Sequence, residues 1–492
     1  MEERSLRYET LADEFAGLID RRVLGPGDRL PSVRTLSQDK RLSVSTVLQA
    51  LRTLEDRGLV EARPQSGFFV RRRPLTRAEP EPRRTPARPV KVDISQRILR
   101  VLQLNNRPGV VPLGAALPDT SLLPVKAIQR LYASVARQQP NLLRSNSHTD
   151  MNEPTLVRQL VRRSLAWGGP LDADEIVVTN SCTEAMFLCL RAVTKPGDTV
   201  AVESPSYYLM LQLIESLGLK ALEIPTDPRR GLSVDALDLA TRDGRVKACL
   251  FVTNASNPLG TILSDADKKR LVRLLESRGV PLIEDDIYGD LQFGERRPWP
   301  AKAFDRGGNV MLCASFSKSI TPALRCGYVA AGRFATEVLR QKTLVSGTTN
   351  PITQNVLARF LETGAYDRSL RALRRAYRQQ VERTADAVSR HFPEGTRITR
   401  PQGGLVLWLE LPAAVDTNLL FERAAEENIA CVPGDLFSPS GLYRNCLRLN
   451  CGNPWTPAIE AGVRRLGELA AALPGKAWFP LCKPLRDGPF SL

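Results

Sequence analysis

Apolar positions over the first seventy residues recur at helical spacing. Leu11, Phe15, Leu18 and Ile19 share one face of a helix over 7–21, which the turn Gly25-Pro26-Gly27-Asp28 ends. A second, capped helix is predicted over 30–37 and a third over 43–56, opened by Ser43. Residues 58–63 and 67–70 then switch to strand spacing, which predicts a two-stranded hairpin with its tip at Pro64-Gln65-Ser66-Gly67. From about residue 111 the pattern changes again. Short runs rich in branched residues, at 176–179, 200–203, 246–253, 280–285, 310–315 and 327–331, alternate with helical stretches such as 271–278. That alternation predicts an α/β domain around a mostly parallel sheet buried on both faces. A helix over 366–391 and a strand over 404–411 predict a smaller C-terminal α+β lobe.

Between these zones lies a Pro/Arg-rich stretch, with Pro74, Pro80, Pro82, Pro86 and Pro89 among Arg77, Arg83, Arg84 and Arg88. It reads as a semi-rigid, solvated linker, closed by an amphipathic segment over 94–104 that docks on the α/β domain. Four segments result: a helical module with a hairpin (1–73), the linker (74–110), the α/β domain with its smaller lobe (111–472), and a tail (473–492) whose pattern assigns it nothing. A length of 492 residues suits two or three domains.

Composition adds exclusions. No apolar run approaches the roughly 18–20 residues of a membrane span. The start Met1-Glu2-Glu3-Arg4 has no apolar core behind it, so a cytoplasmic protein is expected. Nine scattered cysteines without a CxxC pair, and only two histidines, point to reduced thiols and no metal site. The net charge of +16 does not by itself locate a nucleic-acid surface, because the rest of the chain is basic too. The sign nevertheless flips within the first module: residues 1–28 carry four basic and seven acidic side chains, residues 29–73 ten and four.

Three helices and a hairpin in this order resemble the winged helix-turn-helix of the GntR family of bacterial regulators. In such a module the third helix enters the major groove of double-stranded DNA, with Ser43, Ser45 and Thr46 offering short hydroxyls to phosphates or base edges. Arg34 is placed for a phosphate or a guanine, and the hairpin tip lies over the minor groove. The resemblance puts Arg34, Val44, Ser45, Thr46 and Gly67 at DNA-contact positions, with Ser43, Gln49, Gln65 and Ser66 beside them. Val44 stands where relatives often carry a polar or basic residue. A small helical module that binds another protein is the competing reading.

The α/β domain carries separated motifs that each suit one part of pyridoxal 5′-phosphate (PLP). Lys318, in Ser315-Phe316-Ser317-Lys318, closes a predicted strand, where a lysine is costly to bury unless it loses its charge by condensing with an aldehyde. Asp285 ends another strand and suits a protonated pyridine nitrogen; Asp286 is its rival, and the Asp-x-x-Tyr spacing to Tyr288 favours Asp285. Tyr288 and Asn257, the latter before the turn Pro258-Leu259-Gly260, can reach the ring's phenolate oxygen. Tyr207 can stack on the ring. The strand-to-helix turn Ser181-Cys182-Thr183, with Ser315, Ser317 and Arg325, suits the phosphate. Arg448 suits the α-carboxylate of a substrate or effector, with Gly114 and Asn257 beside it.

Joined in this order, the motifs resemble fold-type-I aminotransferases over roughly residues 110–470, and the two halves together resemble the MocR subfamily of transcription regulators. The resemblance implies a PLP-dependent sensor of an amino acid or related amine (or of PLP itself), a head-to-tail homodimer, and an operator as DNA partner. A working PLP-dependent aminotransferase with a DNA-binding head is the second reading, and a cofactor-free dimerisation domain the third. Three departures stand out. Ser181 replaces a usual glycine, the segment 145–154 lacks the usual Tyr and Gly and has His148 and Asn146 instead, and Trp478-Phe479-Pro480 sits in an unmatched tail.

Overall fold

The helical spacing at the start of the chain folds into α1 (Arg7–Asp20), α2 (Val33–Asp39) and α3 (Val44–Asp56), followed by the strands β1 (Val60–Arg63) and β2 (Gly67–Val70). The structure, a computed structural model, describes residues 7–21, 23–24, 27–63, 66–70, 77–143, 152–169 and 171–473. The chain divides into two units between residues 76 and 77.

In the first unit, Leu11 and Phe15 of α1 pack against Leu36, Val47, Leu51 and Leu54, with Val60 and Val70 of the hairpin closing the core. The hairpin is antiparallel, with Val60 opposite Val70 and Arg63 opposite Gly67. Ion pairs tie α1 to its neighbours, Glu14 to Lys40 and Asp13 to Arg57. Gly25, Pro26 and Gln65 lie outside the described residues.

The second unit is built on a nine-stranded sheet. Its middle is parallel: Lys220–Asp227, Thr199–Ser204, Val246–Phe251, Leu282–Asp285 and Val310–Ser315 lie side by side in that order. Gly327–Ala330 comes next, antiparallel, and Ile176–Thr179 then pairs antiparallel with it. Thr199–Ser204, Leu282–Asp285 and Val310–Ser315 are buried along their length, as runs of branched residues without alternation imply. A four-stranded sheet (Arg397–Ile398, Val406–Glu410, Cys446–Asn450, Val432–Pro433) and the 27-residue helix Ala365–His391 form the smaller lobe.

Two features differ from the sequence reading. Lys220–Asp227 is a full strand although its sequence, KALEIPTD, breaks the apolar pattern with Glu223 and Pro225. Glu223 is tolerated inside because Ser204 and Ser438 donate hydrogen bonds to it at 2.7 Å, with Ser440 adding a third. The other difference is a correction: from Arg77 on, the expected solvated linker belongs to the second unit. Arg77 donates to the carbonyls of Ser389 and Phe392, at 3.0 and 2.7 Å, at the C-terminal end of the long helix. Arg83 donates to Glu410 at 2.7 Å and to Asn445 at 2.6 Å. Thr85 donates to the Glu223 carbonyl, and β3 (Val90–Lys91) then adds antiparallel to the edge strand Lys220–Asp227. The helix α4 (Ser95–Asn105) docks as expected, burying Ile98, Val101 and Leu104 while Glu215 accepts hydrogen bonds at its N-terminus.

Among the described residues no helix is long and apolar enough to cross a membrane, and no group of three or more His, Cys, Asp or Glu is placed to hold a metal ion.

Candidate functional site

The carboxyl ends of the parallel strands converge on one cavity of about 200 Å³, the position at which open α/β sheets bind ligands. Most of the site residues expected from sequence meet there. Ser181, Cys182, Thr183, Tyr207, Asn257, Asp285, Tyr288, Ser315, Ser317, Lys318 and Arg325 all line it. Arg448 lies buried behind the wall, in contact with Gly114 and Asn257.

Lys318 follows the strand Val310–Ser315. Its Nζ donates to the Ala116 carbonyl at 2.6 Å, and the Tyr377 hydroxyl holds its backbone carbonyl. Burial pulls its ammonium down to about 8, with Arg448 pushing the same way and Asp285 opposing. The amine is thus partly neutral near physiological pH, the condition a nucleophilic lysine needs.

Asp285, at the end of Leu282–Asp285, accepts from the Cys182 thiol at 3.2 Å and from the Ile287 N–H at 3.0 Å, both at Oδ1. Burial pushes its carboxyl up to about 6. Oδ2 is left without a protein partner among the described residues. Asp286 turns away: Asn254 donates to it and Arg297 pairs with it. The choice between the two adjacent carboxylates is therefore made by their surroundings, because only Asp285 lines the cavity.

Arg448 is fully buried, with no carboxylate partner among the described residues. Its Nη2 donates to the Gly114 carbonyl at 2.5 Å and its Nη1 to Asn257 Oδ1 at 3.3 Å, while Nε has no partner. The guanidinium carbon lies 5.3 Å from the ring centroids of both Tyr208 and Phe437. The Nδ2 of Asn257 is buried and unpartnered as well. Buried, unsatisfied donors beside an unneutralised cation are what an anionic or oxygen-rich ligand would complete.

The turn Ser181-Cys182-Thr183 opens the helix Cys182–Val193, and the Ser181 hydroxyl caps it by accepting from the Glu184 N–H at 3.0 Å. Ser181 is extended (φ −174°), so its Cβ causes no conflict where relatives often have glycine. The N–H groups of Cys182 and Thr183 have no acceptor within the helix and open the turn to an anion. Ser315 donates to Ser317 at 3.1 Å, and the exposed Arg325 stands near them on the lining. His148 and Asn146, weighed as substitutes for a missing tyrosine, lie outside the described residues, as does the tail from 474.

The sequence reading missed the loop behind Lys318. One short stretch supplies the carbonyls of Gly114 and Ala116 to Arg448 and Lys318, and Asn105 anchors it to α4 by accepting from the Ala115 N–H at 2.7 Å. Carbonyl acceptors carry no side-chain signature, so only Gly114 could be singled out from sequence.

In the first unit most of the expected DNA-contact residues are open to solvent. Ser43, Val44, Ser45 and Gln49 of the third-helix region are exposed, as are Arg34, Ser66 and Gly67. Ser43 caps α3 by accepting from the Thr46 N–H at 3.1 Å, and its hydroxyl also bonds those of Ser45 and Thr46. Val44 leaves 53% of its surface in water.

Comparison with known proteins separates the same two parts. Residues 7–70 match the family of bacterial regulatory proteins of the gntR type, and residues 125–466 match aminotransferase class I and II. The HTH-type transcriptional regulator YjiR of Escherichia coli K12 is 38% identical over 464 residues, covering 94% of this chain and 98% of that protein. A 2-aminoadipate transaminase of Thermus thermophilus is 30% identical over 379 residues, 76% of this chain and 94% of its own. Among solved structures, a multiple substrate aminotransferase from Thermococcus profundus aligns with a TM-score of 0.70 at 27% identity, over 76% of this chain and 94% of that one. The α-aminoadipate aminotransferase LysN of Thermus thermophilus, crystallised with N-(5′-phosphopyridoxyl)-L-leucine, gives 0.69 at 27%, over 77% of this chain and 98% of its own. With a gntR-type winged helix and a class I and II aminotransferase domain on one polypeptide, the chain belongs to the MocR-type subfamily of GntR regulators.

Proposed function

We propose that this protein is a DNA-binding transcription regulator whose aminotransferase-like domain holds PLP and senses an amino acid or related amine. The observation that carries the reading is the meeting of Lys318 and Asp285 at one cavity, with a buried Arg448 that has no carboxylate partner among the described residues in contact with the lining residue Asn257, on a chain that also carries a winged helix.

The residues fit the cofactor. Lys318 would hold it covalently through its amine. Asp285 would keep a proton on the ring nitrogen through Oδ2, its other oxygen being fixed by Cys182 and Ile287. Asn257, through its unpartnered Nδ2, and Tyr288 would donate to the phenolate oxygen. Tyr207 would stack on the ring, and the Ser181–Thr183 turn with Ser315, Ser317 and Arg325 would take the phosphate. When bound, PLP supplies an electrophilic carbon and an electron-withdrawing ring. Arg448 would fork onto the effector's carboxylate, displacing the Gly114 carbonyl, and Lys318 would release the Ala116 carbonyl when it engages the cofactor. Because both carbonyls belong to one loop, ligation changes what holds that loop. Such a change alters operator affinity only as far as the effector binds the two states unequally. A homodimer presenting two winged helices to a repeated operator completes the reading, in the cytoplasm.

The test has two arms. Purified protein incubated with PLP develops a near-visible absorbance that candidate amino acids shift, and it retards a fragment of its own upstream DNA in a manner that depends on those amino acids. A protein that retards no specific fragment, with or without PLP, overturns the regulator reading. The retained set of cofactor-site groups also favours a second reading, an active aminotransferase. Steady-state transamination on the order of 1–10 per second would make it the first.

A further inference from the structure

The third helix of the first unit exposes an apolar side chain where it begins. Val47, Ala50, Leu51 and Leu54 form its buried stripe, packed with Leu11, Phe15 and Leu36. That stripe fixes the rotation of α3, and Ser45, Gln49 and Arg52, at helical spacing on the opposite side, are all exposed. Val44, beside Ser45 in the first turn, keeps 53% of its surface in water. We propose that Val44 reads a thymine of the operator by covering its 5-methyl group, and so fixes one base of the sequence recognised. The inference rests on the DNA-binding reading and names what this residue recognises.

The neighbours of Val44 define the surface it meets. Ser45 and Gln49 carry hydrogen-bonding groups suited to base edges, and Arg34 and Arg52 are exposed cations suited to a phosphate or a guanine. Residues 29–73 hold ten basic against four acidic side chains, and residues 7–70 match bacterial regulators of the gntR type. In a helix-turn-helix the first turn of such a helix meets base edges in the major groove. An isopropyl group there can neither donate nor accept. Against guanine, adenine or cytosine it would strip water from polar edge groups and return nothing. Thymine presents a methyl group in that groove, and covering it takes apolar surface of both partners out of water.

The side chain is also held still, as a selective contact must be. Ser43 caps α3 by accepting from the Thr46 N–H at 3.1 Å, and its hydroxyl bonds those of Ser45 at 2.8 Å and Thr46 at 2.7 Å. The first turn is therefore set before DNA arrives. Valine is branched at Cβ and keeps essentially one rotamer in a helix. Its two methyl groups thus occupy a defined place, and little rotamer freedom is lost when they are covered. A contact of this size, comparable to burying one methylene, corresponds to a change in affinity of about three- to tenfold.

The experiment selects duplexes from a randomised DNA pool with the full chain, with and without PLP. The selected duplex is then resynthesised with each thymine in turn replaced by deoxyuridine, which pairs identically and lacks the 5-methyl group. At one thymine of the recognised sequence the replacement should weaken wild-type binding by about three- to tenfold and have no further effect on Val44→Ala. Val44→Arg should move the base selected at that position from thymine to guanine. The inference is overturned if no thymine is sensitive, if the sensitive thymines weaken Val44→Ala as much as wild type, or if Val44→Arg still selects thymine. The deoxyuridine series on wild type needs no variant, so it decides even where a variant melts early. A chain that selects no duplex removes the regulator reading first, and this inference with it.

Discussion

The N-terminal turn of α3 and the cavity around Lys318 both present donors suited to anions, under opposite conditions. At α3 the donors are exposed and already bonded to one another: Ser43 caps the helix and its hydroxyl joins those of Ser45 and Thr46. At the cavity they are buried and incomplete, with Arg448 Nε and Asn257 Nδ2 unpartnered. Water satisfies the first set whenever DNA is absent, so each contact there contributes little by itself and affinity comes from many together. No described residue satisfies the second set, so a single ligand group there has a large effect. A regulator can thus place a weak, additive surface and a strong, all-or-none site on one chain.

That contrast can be broken by substitution. Lys318→Ala should abolish the near-visible band with PLP completely while leaving basal operator retardation in place; a variant that keeps the band would show another amine at work. Arg448→Lys keeps the charge but loses the fork, and should weaken the amino-acid response by about 10–100-fold, read from the same spectral titration. Capture of PLP by the cofactor-free chain should accelerate about tenfold per pH unit up to about 8, where the Lys318 amine becomes neutral, and level off above. Stability has the same sign. Between about pH 8 and about 10.4 the unfolded lysine still carries a proton that the folded one has lost, so the cofactor-free fold gains stability as pH rises. Thermal melts of wild type against Lys318→Ala across that range would expose the difference.

Effects on the exposed surface should be smaller. Arg34→Ala should weaken operator binding several-fold and reduce the salt slope by about 1 if its partner is a phosphate, measured by retardation across a salt series. Ser43→Ala removes the α3 cap and should cost about 1 kcal/mol in the melt of the first unit. A loss in either case as large as that from Arg448→Lys would erase the distinction between the two regions.

Much of this was legible in sequence, for identifiable reasons. Strand ends carrying chemistry stand out because a polar residue closes an apolar run, as Asp285 and Ser315 do, and helix caps stand out because Ser32 and Ser43 precede helical spacing. Asp285 could be preferred over Asp286 from the spacing to Tyr288, although the reason, the commitment of Asp286 to Arg297 and Asn254, lies in the fold. Contacts made through the backbone or across long separations left no trace. Cys182 and Asp285 are 103 residues apart. The carbonyls of Gly114 and Ala116 would be present whatever the side chains. Proline and arginine between 77 and 91 gave the composition of a solvated tether, but Arg77 reaches backbone carbonyls and Arg83 the Glu410 carboxylate, and β3 needs only a free sheet edge.

The docking of residues 77–91 changes where the molecule has its natural seam. By composition the joint lies anywhere in 74–110, and by family match between 70 and 125. By bonding it lies before Arg77, because residues 77–91 already belong to the second unit. Exchange of DNA-reading heads between such regulators, in the laboratory or through recombination of genes, therefore has a narrow window: a crossover further along would graft the right reader onto an aminotransferase-like domain stripped of its own edge.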